Sequence, residues 1–157
     1  MQGSSIGEDE ALLAMALAEA EAAAARGEVP VGAVLTDASG AVLARAGNRI
    51  LELKDPTAHA EILVLRDGAR ALGSERLAGA RLHVSLEPCA MCTGAISLAR
   101  IARLVFAADD AKGGAVLHGP RFFAQPTCHH RPEWRHAGGA AGQASSALLK
   151  GFFAARR

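Results

Sequence analysis

His59-Ala60-Glu61, followed well downstream by Pro88-Cys89-Ala90-Met91-Cys92, constrains this chain more than any other feature. One imidazole and two thiolates are three ligands that suit zinc, and three ligands leave the fourth tetrahedral position open to water. Cys89 and Cys92, three apart at a helix start, place both sulfurs on one side. The partial positive charge of a helix N-terminus also favours thiolates over thiols. His59 and Glu61 are two residues apart, and inside a helix they would diverge by roughly 200°. They serve one site only if it faces the beginning of their helix. Asp55-Pro56-Thr57 predicts that beginning, with Asp55 or Thr57 as cap and proline in the first turn. The fold must therefore bring two helix N-termini together on one metal.

The rest of the chain supplies elements that can do this. Residues 8–26 are rich in Ala, Leu and Glu, with Leu12, Met15, Ala16 and Glu19 at helical spacing, and Gly27 ends that helix. Val31–Leu35 and Ala41–Ala46 read as a hairpin around Asp37-Ala38-Ser39-Gly40. A loop runs from Asn48 to Pro56, and a second helix from about Thr57 to Leu72, stopped by Gly73. Arg81–Leu86 alternates like a strand, a third helix follows Pro88 through Ala99, and Arg103–Ala107 is a short buried strand. Residues 109–140 read as mostly irregular. A last helix spans about Ala144 to Ala155, with Leu148, Leu149, Phe152 and Phe153 as its apolar face. No repeat or linker interrupts the 157 residues, so the expectation is a single α/β domain over 1–157 with helices on a mixed sheet.

Composition narrows the setting. Half of the residues are hydrophobic, which argues for a core and against disorder. Three cysteines, two of them in C-x-x-C, do not make a disulfide scaffold, so a cytoplasmic location is expected. No secretory or membrane segment is visible: the apolar run Ala11–Ala18 is short, preceded by Glu8, Asp9 and Glu10, and interrupted at Glu19. A net charge of +1 does not announce a nucleic-acid binder. Its distribution is less even, with Arg131, Arg135, Lys150, Arg156 and Arg157 against Glu133 near the C-terminal end. That basic end suits phosphates, or is simply a solvated helix face.

Zinc lowers the pKa of its bound water from about 15.7 towards neutrality. Glu61 is then more useful as a base than as a ligand. It takes the water's proton and delivers it to a ring nitrogen, then to a departing amine. The pattern points to hydrolytic deamination, in which hydroxide adds to an amidine-like ring carbon and ammonia leaves. The alternative is a non-catalytic structural zinc module. It needs a fourth protein ligand, for which Cys128, beside His129 and His130, is the candidate, and it leaves Glu61 without a role.

These residues resemble the signature of the zinc-dependent cytidine and deoxycytidylate deaminase superfamily. A closer likeness, to the bacterial tRNA-specific adenosine deaminases, runs through Glu28–Val34, Asn48-Arg49, Asp55–Glu61, Leu86–Cys89 with Met91-Cys92, Val105-Phe106, Asp110-Ala111-Lys112 and Phe152-Phe153. The resemblance implies a three-layer α/β/α cytidine-deaminase-like fold, a central mixed sheet with helices on both faces. It implies one zinc ion per subunit, a homodimer with its site near the interface, and conversion of the wobble adenosine of a tRNA anticodon to inosine. His59, Cys89 and Cys92 would hold the zinc, and Glu61 would shuttle protons. Asn48 would hydrogen-bond the flipped base. Val31 and Leu86 would line its pocket, with the backbone of Ala60 nearby. Asp110 and Lys112 would contact the nucleotide or its flanking phosphates. Phe153 and Arg156 would lie against the anticodon loop.

From the residues alone, plainer roles stand beside these. Asn48 stabilises a loop, Val31 is strand core, Asp110 and Lys112 form an exposed turn, and one of Phe152 and Phe153 anchors the core. A deaminase of free guanine, cytosine or cytidine is the alternative enzyme. The stretch from Ala115 to Arg131, which includes His118-Gly119-Pro120 and Cys128, departs from the family pattern.

Overall fold

The protein, described here from a computed structural model covering residues 5–156, is built on one five-stranded sheet. Arg157, counted above with the basic end, lies outside the described residues. Helix α1 (Ile6–Ala25) starts earlier than expected, because Ser5 caps it and Glu8 answers in a capping box. Its buried stripe is Asp9, Leu13, Ala16, Ala20 and Ala23, offset from the expected Leu12 and Met15. The reason is close approach to the sheet. A Cβ at Gly32 would lie 2.6 Å from Ala20 N and would collide with Ala16 O, so α1 rests directly on the strand backbone.

Strands β1 (Gly32–Thr36) and β2 (Val42–Gly47) form the expected hairpin, each shifted by one residue. Asp37 holds its turn, its Oδ1 accepting from Ser39 N at 2.8 Å and Ala41 N at 3.0 Å. The loop after Asn48 contains a short helix, α2 (Ile50–Leu53), that periodicity did not reveal. The buried Glu28 carboxylate accepts from Leu51 N and Glu52 N and holds that turn. Then come α3 (Ala60–Leu72), β3 (Arg81–Leu86), α4 (Ala90–Leu98), β4 (Arg103–Ala108), a 3₁₀ turn at Phe122–Ala124, β5 (Glu133–His136) and α5 (Gly139–Ala154). Strand β5 lies within the stretch expected to be irregular. It is a short edge strand whose Trp134 and His136 stack on Phe106 of β4, and tertiary packing rather than local pattern makes it a strand.

The strand order is β2-β1-β3-β4-β5. β1 pairs antiparallel with β2 and β3, and β3, β4 and β5 run parallel, so the sheet is mixed as expected. Alternation sends Leu104 and Phe106 into the larger core with Val64 of α3 and Ile96 of α4. Val105 and Ala107 face Leu13 of α1 and Ala141 of α5 on the other side. The three layers are therefore α1 and α5, the sheet, and α3 and α4. The face of α5 differs from the expected one. Gly142, Ser145 and Phe152 are buried, Leu148 and Leu149 are half-buried, and Phe153 is 47% exposed. Ser145 donates to Ser85 O at 2.7 Å, a polar contact that no apolar pattern announces.

Candidate active site

Helix α3 begins at Ala60, not Thr57, and His59 is its N-cap residue with extended backbone (φ −72°, ψ 151°). Asp55 and Thr57 cap no helix. Asp55 Oδ1 accepts from Thr57 N at 2.9 Å and Thr57 Oγ1 at 2.7 Å, closing a turn just before it. This placement removes the difficulty of the two-residue spacing. His59 precedes the helical rotation and Glu61 lies inside it, so both can serve a site at the helix mouth. Cys89 is likewise the N-cap residue of α4 (φ −75°, ψ 176°), and Cys92 sits in the first turn.

The two helix starts meet. His59 Nδ1 is 3.6 Å from Cys89 Sγ and 3.5 Å from Cys92 Sγ, and one ligand atom from each residue lies within 4.8 Å of the others. Glu61 is buried beside them, and its Oε1 has no hydrogen-bond partner. A buried polar atom without a partner costs about 1–3 kcal/mol, so the fold carries it at a stability penalty.

The electrostatics match a cation. The Cys89 thiol is brought down to about 4, chiefly by a hydrogen bond from Cys92, with His59 helping against burial. Cys92 is pushed up by that same bond, by burial and by the charge of Glu61. The protein alone supports one thiolate, and the second needs a positive ion between the sulfurs. His59 is raised, first by its hydrogen bond to Cys89. Burial lifts the Glu61 carboxyl to about 7. Two soft sulfurs and an imidazole nitrogen are the donor set of zinc rather than of magnesium or calcium.

The expected substrate residues divide into groups. Asn48 is buried at the start of α3, where its Oδ1 accepts from Ala60 N at 2.8 Å. His59, at the cap position, makes no side-chain cap bond, and Asn48 supplies that acceptor from another segment. The Ala60 N–H is thereby used, while the Asn48 amide nitrogen is left as a donor. Leu86, Asp110, Lys112 and Phe153 line one cleft of about 890 Å³, together with Val29 and Leu149. Asp110 also has the plainer role, its Oδ1 accepting from Lys112 N and Gly113 N in a turn. Val31 is 7% exposed and belongs to the core cluster. Arg156 folds back, its guanidinium carbon 3.5 Å above the Phe152 ring centre.

Sequence reasoning missed a role for Glu87. It is buried, and its carboxylate accepts from four backbone N–H groups and from His118 Nδ1. The visible signal was an acid wedged between a strand end and Pro88-Cys89. Cys128 lies elsewhere: its sulfur is 3.2 Å from His130 O and 3.6 Å from Ser97 Oγ, and it is not in the His59, Cys89, Cys92 group. Cys128→Ser therefore leaves zinc content and turnover within about twofold of the parent, as metal analysis and initial rates will show. Loss of zinc in that variant would mean a closed, structural site.

A sheet carrying a three-donor metal centre with an acid beside it is the layout of a hydrolytic zinc enzyme. The chain belongs to the cytidine and deoxycytidylate deaminase family, whose zinc-binding-region model matches residues 6–108, and it groups there with the tRNA-specific adenosine deaminases. It is 56% identical to the tRNA-specific adenosine deaminase of Agrobacterium fabrum over 143 residues, 91% of this chain and 92% of that one. A solved structure from work on A-to-I editing by tRNA:A34 deaminases at the wobble position superposes with a TM-score of 0.85. It is 55% identical, with 89% of this chain and 99% of that one covered. The guanine deaminase of Bacillus subtilis is more distant, with 28% identity, a TM-score of 0.63 and coverage of 94% and 92%.

Proposed function

We propose that this protein is a zinc-dependent hydrolytic deaminase that converts adenosine to inosine at the wobble position of a tRNA anticodon. One zinc ion per subunit is held by His59, Cys89 and Cys92. The observation that carries the reading is the unpartnered, buried Glu61 oxygen beside those three donors. Zinc held there supplies Lewis acidity that makes water a nucleophile near neutral pH. Glu61 takes a proton from the attacking water and passes it to the ring nitrogen next to C6. It then takes the proton of the hydroxyl added at C6 and gives it to the amine, so that the carbonyl forms, the C6–N bond breaks, and water and adenosine become inosine and ammonia.

The other residues bind and orient. Asn48 is fixed through its Oδ1 and offers its amide N–H to an acceptor on the base. Leu86, Val29 and Phe153 give the cleft apolar walls, and Lys112 on the same lining offers a positive charge for the phosphates. An anticodon loop is already single-stranded, so turning its base into such a cleft costs little. The same reading has the chain act as one domain, paired as a homodimer, in the cytoplasm. The family resemblance supports this. Among the described residues no helix is long and apolar enough to cross a membrane.

The likeness to guanine deaminase keeps a free-base substrate as the second reading, and the higher identity to the tRNA enzymes favours the first. The test is inosine formation on an anticodon stem-loop against turnover of guanine, cytosine and cytidine. Inosine on the stem-loop is the expected result, and turnover of the free compounds alone would overturn it.

A further inference from the structure

The departing segment after Gly113 is not a loose specificity loop. It is wound around one buried carboxylate. Glu87 Oε1 accepts from Asp110 N at 2.9 Å and from His118 Nδ1 at 2.8 Å. Glu87 Oε2 accepts from Val116 N at 3.1 Å, Leu117 N at 2.9 Å and His118 N at 3.1 Å. A carboxylate in so buried a position should be costly. Burial does push its carboxyl up, but the donated hydrogen bonds outweigh that and leave it below the ordinary range.

The wrap also demands space at the centre of the loop. A Cβ on Gly114 would collide with the Glu87 carboxyl and lie 2.6 Å from Asp110 O, so only glycine fits there. Glu87 stands two positions before Cys89, and Ala115 N donates to Pro88 O at 2.9 Å. The start of the metal-holding helix and the loop that carries Asp110 and Lys112 into the cleft are thus one hydrogen-bonded unit.

We propose that Glu87 is a positioning residue for substrate, with His118 as its side-chain donor. Its carboxylate sets where Asp110 and Lys112 stand in the cleft relative to the metal centre. The proposal rests on the deaminase reading above. It makes the His118 imidazole part of substrate binding without direct contact. The Nδ1–H donor is the property that matters, because the three N–H groups of Val116, Leu117 and His118 share one oxygen, while Asp110 N and the imidazole share the other. Losing the imidazole frees one side of the pair that holds Asp110.

The test uses the zinc-loaded protein and three substitutions. His118→Ala removes the donor. His118→Asn keeps a donor where Nδ1 stood. Glu87→Gln turns an acceptor oxygen into a donor facing other donors. His118 is one-third exposed in its side chain, so its variants are the ones expected to fold without difficulty.

Loss of a hydrogen bond to a charged group corresponds to about a tenfold effect. His118→Ala should therefore raise KM for an anticodon stem-loop about tenfold with kcat within about threefold, and His118→Asn should recover most of that loss. Glu87→Gln should raise KM further with zinc content unchanged. Equal KM in His118→Ala and the parent would overturn the proposal, as would a fall in kcat alone or an asparagine variant no better than alanine.

Amide hydrogen exchange at Asp110 and at Val116–His118 gives a readout that needs no substrate. Faster exchange in His118→Ala, restored in His118→Asn, is expected, and unchanged exchange would overturn the hub. If the parent makes no inosine, the tRNA reading falls while the exchange measurement still decides the role of Glu87.

Discussion

Glu61→Ala keeps its zinc and loses turnover by about 10²–10⁴-fold, the range for removing a positioned general acid–base group. The three donors that gather are His59, Cys89 and Cys92, and the Glu61 oxygen left without a partner is not needed to hold them together. Alanine is also the better helix former, and the substitution deletes a buried group that is paid for in stability. The variant should therefore fold at least as well as the parent, bind stem-loop with similar affinity, and fail only in kcat. Metal analysis, binding titration and inosine formation separate these quantities. Zinc lost together with activity would make Glu61 a ligand and close the site.

The second large effect lies on the opposite face of the sheet. Asp9→Ala should destabilise the protein by about 3 kcal/mol, the low end for removing one partner of a buried ion pair. Asp9 is fully buried on α1 and receives His83 Nε2 from β3 at 2.7 Å, Arg103 from β4 at 2.9 and 3.1 Å, and Arg135 from β5 at 2.9 Å. Removing it takes the buried carboxylate from two guanidinium groups, of which Arg103 keeps Glu133 Oε1 at 2.9 Å. Arg103 is nine-tenths covered, whereas Arg135 has one-third of its side chain in solvent and can recover some hydration. The corresponding fall in Tm is roughly 10 °C for a chain of this size. A Tm within about 2 °C of the parent would mean that the cluster contributes little.

The same cluster gives a pH dependence with a definite sign. Burial holds the His83 imidazole below its ordinary 6.5. The hydrogen bond and charge of Asp9 oppose that shift, and the charges of Arg103 and Arg135 add to it. As pH falls from 6.5 towards the lowered value, the unfolded chain takes up a proton that the folded chain refuses. Stability is therefore complete above 6.5 and declines through that window on acidification. His83→Gln keeps a donor for Asp9 without the titration, so its urea midpoint should vary less with pH than the parent's as pH falls below about 6.5. A parallel decline in both proteins would assign the acid sensitivity to other groups.

The gathering of the metal donors was legible because it rests on local geometry. A C-x-x-C after proline and a His-x-Glu near a helix start can share a metal only at the two N-termini. The helix that carries His59 was placed three residues too early, since Asp55 and Thr57 look like caps. The acceptor that serves the helix start is Asn48, twelve residues upstream. No rule of local capping finds an acceptor that arrives from another segment. Strand β5 and the face of α5 were missed for a related reason. Trp134 and His136 make a strand because Phe106 offers them a surface, and α5 packs through Gly142 and Ser145 because the sheet backbone is close.

The sequence by itself determined the chemistry, because ligand type, ligand spacing and an adjacent acid are properties of short segments. It also determined the α/β class, helices on a mixed sheet, through the alternation of helical and strand periods. Only the tertiary structure decided how the substrate side is built. It put Leu86, Asp110, Lys112 and Phe153 around one cleft, buried Val31 in the core and folded Arg156 onto Phe152. It also wound the segment from Asp110 to His118 around Glu87. A buried carboxylate is stable only where enough donors converge on it, and that convergence comes from segments that meet only once the chain is folded.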